Sequence, residues 1–504
     1  MNKTVAKPFP LQGVAGIIAN NADELAQATA RGLHTVEVRA DLLLHAGMSE
    51  PQLLDLVRAA CTAKLSVLFT LRHPSHDGRF AGSESERVAL NNKALRAGAV
   101  AVDAELGSEC ARQLLAQGAP VVLSHHDFTA MPDEAELAEL TKRMLDASPL
   151  AMKLVPTARN IGDAARMLAW VAASEAGGPK RIGFAMGASG TCSRILTIAF
   201  GAPITYASFG ASVAPGQVGI DELLEVYRAH ELDAQTRVYG IAGSHSLTSF
   251  SPFLHNPAFH SRNINAVYVP FQTDDFVDLC ASLENLRVDG MSVTTPFKEQ
   301  ALSAANSSDE RSRACGAANT LVASHSAGNT SLAAFNTDFD GVLIPIETHL
   351  PVRGLRVAIV GNGGAARGAV QALKTAGAEL VMFYRNAERG QPVADEFGIR
   401  GTLLDSIDDS FDVYINATTL GTNPGDPSPI PASVLKRPQQ IAFEMLYQNP
   451  NSQFIADAQA AGVRIVRGAQ MLVAQGTVQF QHFAGALPTL AEFSANFERG
   501  KTFR

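Results

Sequence analysis

The sequence has few cysteines and no long apolar run. Its 504 residues include five cysteines. They lie far apart without a CxxC pair, which favours reduced thiols over a disulfide framework or a zinc site. They are Cys61, Cys110, Cys192, Cys280 and Cys315. No apolar stretch reaches the roughly 18 residues of a membrane span, and the N-terminus lacks a signal-peptide core. We therefore expect a cytoplasmic protein, or a plastid one if a transit peptide has been removed.

Positive charge is also in short supply. Lys and Arg number 41 against 49 Asp and Glu, for a net charge of -8. This balance argues against a nucleic-acid partner. The composition, 46% hydrophobic and 18% charged, is globular and excludes a disordered chain. The length predicts two or three domains. A monomer is compatible with the sequence, which leaves the oligomeric state open.

Apolar β-type runs alternate with helix-like runs over the first 230 residues. Eight β runs, each followed by a helix, are the pattern of a (β/α)8 barrel. Their continuous apolar character fits a parallel sheet that helices cover on the outside. The runs are Val14–Ala19, His34–Val38, Leu65–Leu71, Ala99–Asp103, Pro120–Ser124, Leu150–Leu154, Lys180–Ala185 and Ile204–Tyr206.

A short polar linker, His230–Arg237, separates this barrel from a second α/β part. There, Leu355–Val360 leads directly into a glycine loop and a helix, the order of a dinucleotide-binding fold. We predict an α/β chain of three domains. They are the barrel (1–232), a small α/β domain (237–345 with 476–504) and a Rossmann domain (346–475).

In a barrel of this kind, functional residues stand at the C-terminal ends of the strands. Lys153 lies within the apolar run Leu150–Val155. Desolvation there favours the neutral amine, which can attack a ketone and form a Schiff base. The alternative is a lysine whose ammonium group reaches solvent.

Other polar residues follow the neighbouring strands. His126 is the expected proton shuttle, because imidazole titrates near neutral pH. Three arginines on different loops are candidates for anion binding. These are Arg39, Arg72 and Arg194. His73, His76 and Asp77 are residue types that bind metals, but no fourth ligand has suitable spacing, so we predict no metal.

The glycine loop in the second half is Gly361, Asn362, Gly363, Gly364 and Ala365. Its glycines permit a tight turn and close approach of a pyrophosphate to backbone N–H groups. The next strand ends without an acid at the ribose position. Arg385, Asn386 and Arg389 follow instead, and arginines suit a 2′-phosphate, so NADP is predicted over NAD.

Lys298 and Asp338 each follow a predicted strand of the small domain. A Lys and an Asp that meet across a cleft can manage proton transfer while hydride goes to the nicotinamide. Spacing alone leaves a plain salt bridge equally open.

The first half resembles the type I 3-dehydroquinate dehydratases. The resemblance covers about 15 to 225 and rests on Glu37-Val-Arg39-Ala-Asp41, Thr70-Leu-Arg72, Asp103-Ala-Glu105, Ser124-His-His126-Asp-Phe128, Lys153, the run 186–194 and Ala214-Pro-Gly-Gln217. It implies an imine on Lys153, with His126 removing the C2 proton and later protonating the leaving hydroxyl. Arg194 would hold the carboxylate. Glu37, Arg39, Arg72 and Gln217 would bind ring hydroxyls.

Two departures from that family stand out. Its Glu-Gly-Gly run, whose Glu supports the catalytic His, is replaced by a sequence with the acid at Asp77. Val213 stands where the family has Ser. Asp77 and Glu105 are the expected supporting acids.

The second half, from 238 to about 500, resembles the shikimate dehydrogenases. The resemblance rests on Ser249-Phe-Ser251-Pro, Val293-Thr294-Thr-Pro-Phe-Lys298, Gly316-Ala-Ala-Asn319-Thr, Asn336-Thr-Asp338, the glycine loop, Asn416-Ala-Thr418 and the run 468–475. It implies that Lys298 and Asp338 form the catalytic pair. The implied substrate contacts are Ser249, Ser251, Thr294, Asn319, Tyr447 and Gln475. Thr418, Met445 and Gly468 would meet the cofactor.

Together the resemblances predict one chain that dehydrates 3-dehydroquinate and then reduces 3-dehydroshikimate to shikimate with NADPH. Three alternatives stay open: a quinate preference in the second half, a barrel that has become a non-catalytic module, and a Schiff-base aldolase barrel.

Overall fold

The computed structural model describes residues 8–210, 218–326, 329–447 and 449–503. The chain divides into two units. The first extends to Pro252 and includes Phe259–Val288, and the second includes Phe253–Ala258 and Asp289–Thr502. Each unit is described by itself, and the predicted division into three domains stays a prediction.

The first unit begins with eight parallel strands and the helices between them, which confirms the predicted barrel. The strands are β1 (Gly13–Ile18), β2 (Thr35–Arg39), β3 (Ser66–Thr70), β4 (Ala101–Glu105), β5 (Val121–Asp127), β6 (Ala151–Pro156), β7 (Lys180–Gly183) and β8 (Ile204–Ser208). The helices are α1 (Asp23–Ala30), α2 (Ala40–His45), α3 (Glu50–Thr62), α4 (Glu84–Ala97), α5 (Glu109–Ala116), α6 (Glu134–Asp146), α7 (Ile161–Ala172) and α8 (Thr191–Leu196). The sheet runs from β7 in descending order to β1 and ends at β8.

Local sequence explains these boundaries. Strands β4 and β6 are buried along their whole length, as expected of a parallel sheet that is covered on the outside. Helix α4 begins at a capping box, in which Ser83 and Glu86 satisfy each other's backbone N–H groups. Helix α6 begins in the same way with Asp133 and Glu136.

A buried arginine joins the ends of β3 and β4. Arg87 on α4 donates to the carbonyl of Leu71 at 2.9 Å and 3.2 Å, and its guanidinium forms an ion pair with Glu105. Both side chains are almost fully buried, at 0% and 1% exposure. A second acid, Glu84, accepts from Arg87 at 2.7 Å. This arginine therefore neutralises two acids at the edge of the barrel.

The first unit continues beyond the barrel with two parallel strands, β9 (Arg237–Gly243) and β10 (Ala266–Gln272). Helix α9 (Ser251–Ser261) lies between them in the chain, and α10 (Phe276–Ser282) follows. Within this unit, the backbone N–H of Gly162 donates to Asp278 at 2.9 Å. The hydroxyl of Ser189 donates to the carbonyl of Gln272 at 3.0 Å.

The second unit contains two groups of strands, a first group of four and a second group of six that form a parallel sheet. The first group is β11 (Val288–Val293), β12 (Ser307–Ser308), β13 (Thr320–Ser326) and β14 (Asn329–Phe335), with helices α11 (Lys298–Ala304), α12 (Glu310–Cys315) and α13 (Asp338–Glu347). β13 pairs antiparallel with β11 and with β14, and β12 pairs parallel with β14.

The larger sheet has the strand order of a dinucleotide-binding fold. Its strands are β15 (Arg356–Val360), β16 (Glu379–Tyr384), β17 (Arg400–Leu403), β18 (Val413–Asn416), β19 (Ile441–Glu444) and β20 (Arg464–Arg467), with helices α14 (Gly364–Thr375), α15 (Ala387–Phe397), α16 (Gln453–Ala461), α17 (Gly468–Ala484) and α18 (Leu490–Gly500). The order β17-β16-β15-β18-β19-β20 reverses between β15 and β18. Ligands bind at such a reversal, outside the carboxyl ends of the strands. The predicted Rossmann domain is thereby confirmed.

None of the helices in the described ranges is both long enough and apolar enough to cross a bilayer.

Replacing Arg87 with alanine should destabilise the barrel by about 3–5 kcal/mol, because Glu105 would remain buried without its partner. The single tryptophan of the chain, Trp170, lies on α7, so urea unfolding followed by tryptophan fluorescence reports on the barrel. Arg58→Ala is the control. It removes an exposed ion pair with Asp55 and should change stability by no more than about 0.5 kcal/mol. Equal unfolding midpoints for the two variants would contradict the role given to Arg87.

Candidate active sites

The polar residues at the C-terminal ends of the barrel strands converge on one cavity. Strand alternation explains this, because residues two apart on a strand share a face. Ser124 and His126 on β5 share the inner face, while His125 lies between them. The cavity is lined by Ile17, Glu37, Arg39, Arg72, His76, Asp77, His126, Phe128, Lys153, Val155, Phe184, Met186, Arg194 and Tyr206.

Lys153 is buried at the centre of this cluster, with 3% exposure. Its Nζ lies 3.3 Å from Oε1 of Glu37 and 3.1 Å from Oδ2 of Asp103. The ring centroid of Tyr206 is 4.3 Å from the same nitrogen. The sequence predicted apolar surroundings for this amine, and that prediction is wrong. Two carboxylates and an aromatic face surround the amine.

Asp103 connects this lysine to its neighbours. Its Oδ1 accepts from Ser124 at 2.7 Å and faces Arg72 at 3.4 Å. Burial alone would raise the pKa of Asp103, but the charges of Lys153 and Arg72 outweigh it and lower the pKa to about 2. Asp103 is thus a permanent anion beside the amine.

His126 has cationic neighbours instead of acidic ones. Its Nδ1 lies 3.0 Å from Nη1 of Arg72. Arginine only donates, so Nδ1 is the acceptor and the proton of the neutral ring is on Nε2. Burial lowers the pKa of His126 well below 6.5, and the charges of Arg72, Lys153, His76 and Arg39 lower it further. The neutral imidazole, which acts as a base, is therefore favoured.

Neither of the two acids predicted as supporting residues is hydrogen-bonded to His126 among the described contacts. Asp77 lines the cavity in a left-handed conformation (φ 60°), but its carboxylate makes no hydrogen bond or ion pair with any described residue. Glu105 accepts from the backbone of His73 at 3.0 Å and pairs with Arg87. Glu105 thus holds the loop after β3, and Nδ1 of His126 is held by Arg72.

The three predicted anion-binding arginines differ in their partners. Arg39 already forms a two-pronged ion pair with Asp41, at 3.0 Å and 2.9 Å. Arg72 contacts His126 and Asp103. The guanidinium of Arg194 makes no hydrogen bond or ion pair within the described part of the chain. Its guanidinium carbon lies 4.1 Å from the ring centroid of Phe184.

Of these three arginines, Arg194 is therefore the one whose charge has no counter-ion among the described residues. It is 2% exposed, and its Nε is buried without a hydrogen-bond partner among the described residues. Burial lowers the pKa of Arg194 to about 10. A buried cation without a counter-ion is costly, and a ligand carboxylate would remove that cost.

Three polar residues of the site are not among the predicted ones: Asp103, which contacts Lys153, and His76 and Tyr206, which line the cavity. Asp103 stands in the same motif as Glu105, two positions away on β4, and the register of β4 with β5 is the signal that would have placed it inward. His76 was considered only as a metal ligand. No group of three or more His, Cys, Asp or Glu side chains in the described ranges could hold a metal ion. Gln217 and Val213 lie outside the described residues.

Ser249 and Ser251 lie in the first unit at the start of α9. Their hydroxyl oxygens are 3.1 Å apart, and the backbone N–H of Ser251 donates to Oγ of Ser249 at 3.1 Å. Both residues are buried. The structure thus brings this predicted pair together.

In the second unit, Lys298 and Asp338 meet. Nζ of Lys298, the first residue of α11, lies 2.6 Å from Oδ2 of Asp338, the first residue of α13. The side-chain amide of Asn319 donates to Oδ1 of Asp338 at 3.0 Å and to Gln475 at 3.2 Å. Four of the predicted residues therefore form one network, which sequence spacing alone could not show.

The other predicted residues of this unit lie on adjoining loops. Thr294 follows β11 directly, and Tyr447 follows β19. Burial raises the pKa of Tyr447. Gly468 opens α17 beside the chain of Met445. A Cβ on Gly468 would lie 2.6 Å from the Met445 carbonyl oxygen, so only glycine fits this close approach.

The glycine loop joins β15 to α14. Gly361 has φ +121°, a conformation that glycine adopts readily, and a Cβ there would lie 2.9 Å from the carbonyl oxygen of Ala417. Nothing lies within 4 Å of the corresponding points on Gly363 and Gly364. A pyrophosphate could therefore approach the first N–H groups of the 12-residue helix α14.

A cavity of about 390 Å³ lies beside this loop. It contains the predicted cofactor residues Gly361, Asn362, Gly363, Arg385, Asn386, Arg389 and Thr418. The guanidinium groups of Arg385 and Arg389 make no hydrogen bond or ion pair with the described residues, so both are available to a phosphate. Another cavity is lined by Lys298 and Asp338 together with Gly364, Ala365 and Met471.

These two sites define the class: an enzyme with a buried, carboxylate-flanked lysine in a (β/α)8 barrel and a Lys–Asp pair beside a dinucleotide fold. Residues 16–234 match the family model of type I 3-dehydroquinase, and residues 241–321 match the shikimate dehydrogenase substrate binding domain.

The bifunctional 3-dehydroquinate dehydratase/shikimate dehydrogenase of Arabidopsis thaliana, named as chloroplastic, is 30% identical over 501 residues, which cover 94% of this chain and 81% of that protein. The chain therefore belongs to the family of bifunctional 3-dehydroquinate dehydratase/shikimate dehydrogenases.

Two further relatives match. The shikimate dehydrogenase (NADP(+)) of Caulobacter vibrioides is 35% identical over 263 residues, 50% of this chain and 91% of that protein. The solved dehydroquinate dehydratase and shikimate dehydrogenase from S. pombe is 22% identical with a TM-score of 0.47, over 97% of this chain and 98% of that one.

Replacing Arg194 with methionine should stabilise the ligand-free barrel by about 1 kcal/mol or more, because it removes a buried and unpaired charge while keeping much of the volume. The measurement is the urea midpoint by Trp170 fluorescence. Arg39→Met is the matched control. It breaks the ion pair with buried Asp41 and should destabilise the barrel. A lower midpoint for Arg194→Met would mean that the guanidinium already has a partner.

Proposed function

We propose that this chain dehydrates 3-dehydroquinate to 3-dehydroshikimate in the barrel and reduces that product to shikimate with NADPH in its second part. The observation that carries the first activity is Lys153, buried between Glu37 and Asp103 with Arg194 unpaired in the same cavity. The Lys298–Asp338 pair at 2.6 Å supports the second activity. The dehydratase is assigned to residues 1–232 and the dehydrogenase to 237–504.

In the barrel, Lys153 forms the imine with the substrate ketone. Asp103, a permanent anion 3.1 Å from Nζ, accepts a hydrogen bond from the amine and stabilises the cationic imine. Glu37 is placed to do the same from 3.3 Å. Arg194 holds the substrate carboxylate, which supplies the missing counter-ion.

Proton transfer falls to His126. In its neutral form it removes the C2 proton, which leaves an enamine. The enamine then expels the hydroxyl group, and the imidazolium returns the proton to it, so that water leaves. A base needs a ring nitrogen with a free electron pair, which in this tautomer is Nδ1, so His126 takes the C2 proton at Nδ1 when Arg72 turns its hydrogen bond to the substrate.

In the second part, the residues around Asp338 handle a proton while the nicotinamide cofactor supplies hydride to the substrate ketone. Lys298 donates a proton to the carbonyl oxygen as it becomes a hydroxyl, and Asp338 orients the ammonium. Asn319 and Gln475 hold Asp338 and bind hydroxyl groups. Ser249 and Ser251 hold the carboxylate, with Thr294 and Tyr447 at the substrate.

NADP is the proposed cofactor. Arg385 and Arg389, whose guanidinium groups have no partner among the described residues, line the cavity beside the glycine loop and would bind the 2′-phosphate. The NADP(+)-specific names of the relatives point the same way. Thr418, Met445 and Gly468 are assigned to the cofactor side of the site. We further propose cytoplasmic residence, although the Arabidopsis relative is named as chloroplastic.

The deciding experiment pairs two lysine variants in one assay. Wild-type protein with 3-dehydroquinate and NADPH should consume NADPH and form shikimate, with NADH much less effective. Lys153→Ala should lose dehydration by several orders of magnitude, since the nucleophile is gone, yet still oxidise shikimate with NADP. Lys298→Ala should accumulate the conjugated enone at the wild-type rate while NADPH persists. Enone absorbance and NADPH absorbance are followed together.

Each alternative gives a different result in that assay. A wild-type protein that forms no enone but oxidises shikimate would have a non-catalytic barrel. Carbon fragments in place of the enone would identify an aldolase. Faster oxidation of quinate than of shikimate would reassign the second activity. Loss of both activities in Lys153→Ala without unfolding would contradict the independence of the two sites.

The dehydration rate should also show where His126 titrates. Because burial, together with the charges of neighbours such as Arg72 and Lys153, lowers the pKa of His126, the acid limb of kcat/KM should lie clearly below pH 6.5. Removing one positive neighbour should move the limb to higher pH, so Arg72→Gln should show this shift, and Arg385→Gln, which is in the other unit, should not. An acid limb at or above pH 6.5 in the wild type would contradict the inferred surroundings.

A further inference from the structure

The barrel cavity is lined by a tyrosine, Tyr206, whose hydroxyl the mechanism above does not use. Tyr206 lies on β8, paired in register with Ala15 of β1, and is 2% exposed. Its Oη is buried without a hydrogen-bond partner among the described residues. A buried hydroxyl in that state costs free energy, so its retention inside a polar cavity calls for a ligand.

The ring of Tyr206 also has a defined place. Its ring centroid lies 4.3 Å from Nζ of Lys153, the same nitrogen that contacts Glu37 and Asp103. The ring contacts Phe184 at 5.7 Å between centroids, and Phe184 in turn carries the guanidinium of Arg194 at 4.1 Å. Two aromatic rings thus each cover one buried cation of the cavity.

The electrostatic surroundings keep this hydroxyl a donor. Burial, together with the nearby charges of Glu37 and Asp103, raises the pKa of Tyr206 well above its ordinary value. The phenol therefore stays protonated and can donate a hydrogen bond to an oxygen of a ligand.

We propose that Tyr206 is a further substrate-contacting residue of the dehydratase: its hydroxyl donates to the ketone oxygen that Lys153 attacks, and its ring face stabilises the cationic imine that results. This inference rests on the proposed dehydratase activity. One side chain would thus stabilise both the ketone oxygen that leaves as water and the positive charge that develops on the imine nitrogen.

The step balances without any added reagent. Nζ of Lys153 first passes one proton to Glu37, 3.3 Å away, and its free electron pair then forms a bond to the carbonyl carbon, while the carbonyl electron pair moves to the oxygen that Tyr206 stabilises. Two of the three protons of the original ammonium go to that oxygen, the carbon–oxygen bond breaks and water leaves. The third proton remains on the nitrogen of the cationic imine. In the free protein this nitrogen lies 4.3 Å from the ring centroid of Tyr206, and the ring face stabilises a cation there.

Tyr206→Phe removes the hydroxyl alone and separates this role from a structural one. It should lower kcat/KM for 3-dehydroquinate by roughly three- to tenfold, the effect of one lost neutral hydrogen bond. The rate of imine formation, measured by borohydride trapping of the protein with 3-dehydroquinate and mass spectrometry, should fall by a similar factor. The urea midpoint by Trp170 fluorescence should stay unchanged or rise, because no bond in the free protein is lost.

Tyr206→Leu removes the ring as well and should reduce the trapped imine further than Tyr206→Phe does. Tyr414→Phe is the matched control. The Tyr414 hydroxyl donates to the carbonyl of Asp408 at 2.6 Å in the second unit, so its loss should destabilise that unit and leave dehydration unchanged.

The outcomes separate the inference from the function beneath it. If the wild type forms neither enone nor trapped imine, the dehydratase assignment fails. If the wild type is active and Tyr206→Phe matches it in kcat/KM and in imine formation, the role of the hydroxyl is overturned. A lower urea midpoint for Tyr206→Phe would also overturn it, because the hydroxyl would then serve the fold. Equal trapping by Tyr206→Leu and Tyr206→Phe would overturn the role of the ring.

Discussion

The contact on which the barrel site depends is the one between the buried amine of Lys153 and the carboxylates of Glu37 and Asp103. An ammonium group cannot be buried in a barrel without such partners, because its desolvation costs several kcal/mol or more. The same carboxylates favour a cation at that nitrogen after the imine has formed. Ser124 and Arg72 hold Asp103, and the hydroxyl of Thr70 donates to Glu37 at 2.8 Å. The stability of the cavity and its chemistry thus rest on one arrangement of charges.

Around Lys153 and its two carboxylates, the cavity contains buried polar groups that lack a counter-ion or a hydrogen-bond partner among the described residues. Arg194 has no described counter-ion, and the hydroxyl of Tyr206 has no described partner. Burial and the charges of Arg72, Lys153 and other neighbours lower the pKa of the His126 imidazole. Each of these lowers stability and each is relieved by a negatively charged substrate rich in oxygen. The site is therefore complementary to its ligand where the fold by itself is least satisfied.

The second unit also holds a lysine beside a carboxylate, but in a more exposed setting. Lys298 and Asp338 open two helices, and the amide of Asn319 holds the carboxylate from the other side. The pair remains partly open to solvent, which suits proton exchange better than the closed centre of the barrel does. The glycine loop follows from local backbone needs, since Gly361 requires a positive φ and helix α14 presents its N-terminus to the cavity.

The sequence by itself determined the order of elements, the barrel and the glycine loop, and it named most of the candidate site residues, because apolar runs, helical patterns and strand-end motifs are local properties of the chain. It did not determine which of these side chains contact one another. Asp77 was the expected support of His126, but Arg72 occupies Nδ1, and Glu105 instead holds a loop through Arg87. Asp103 and Tyr206 entered the site only through the registers of β4 with β5 and of β8 with β1. Which charges meet is decided by strand register and barrel closure, which bring together residues far apart in sequence, and that is a property of the tertiary structure alone.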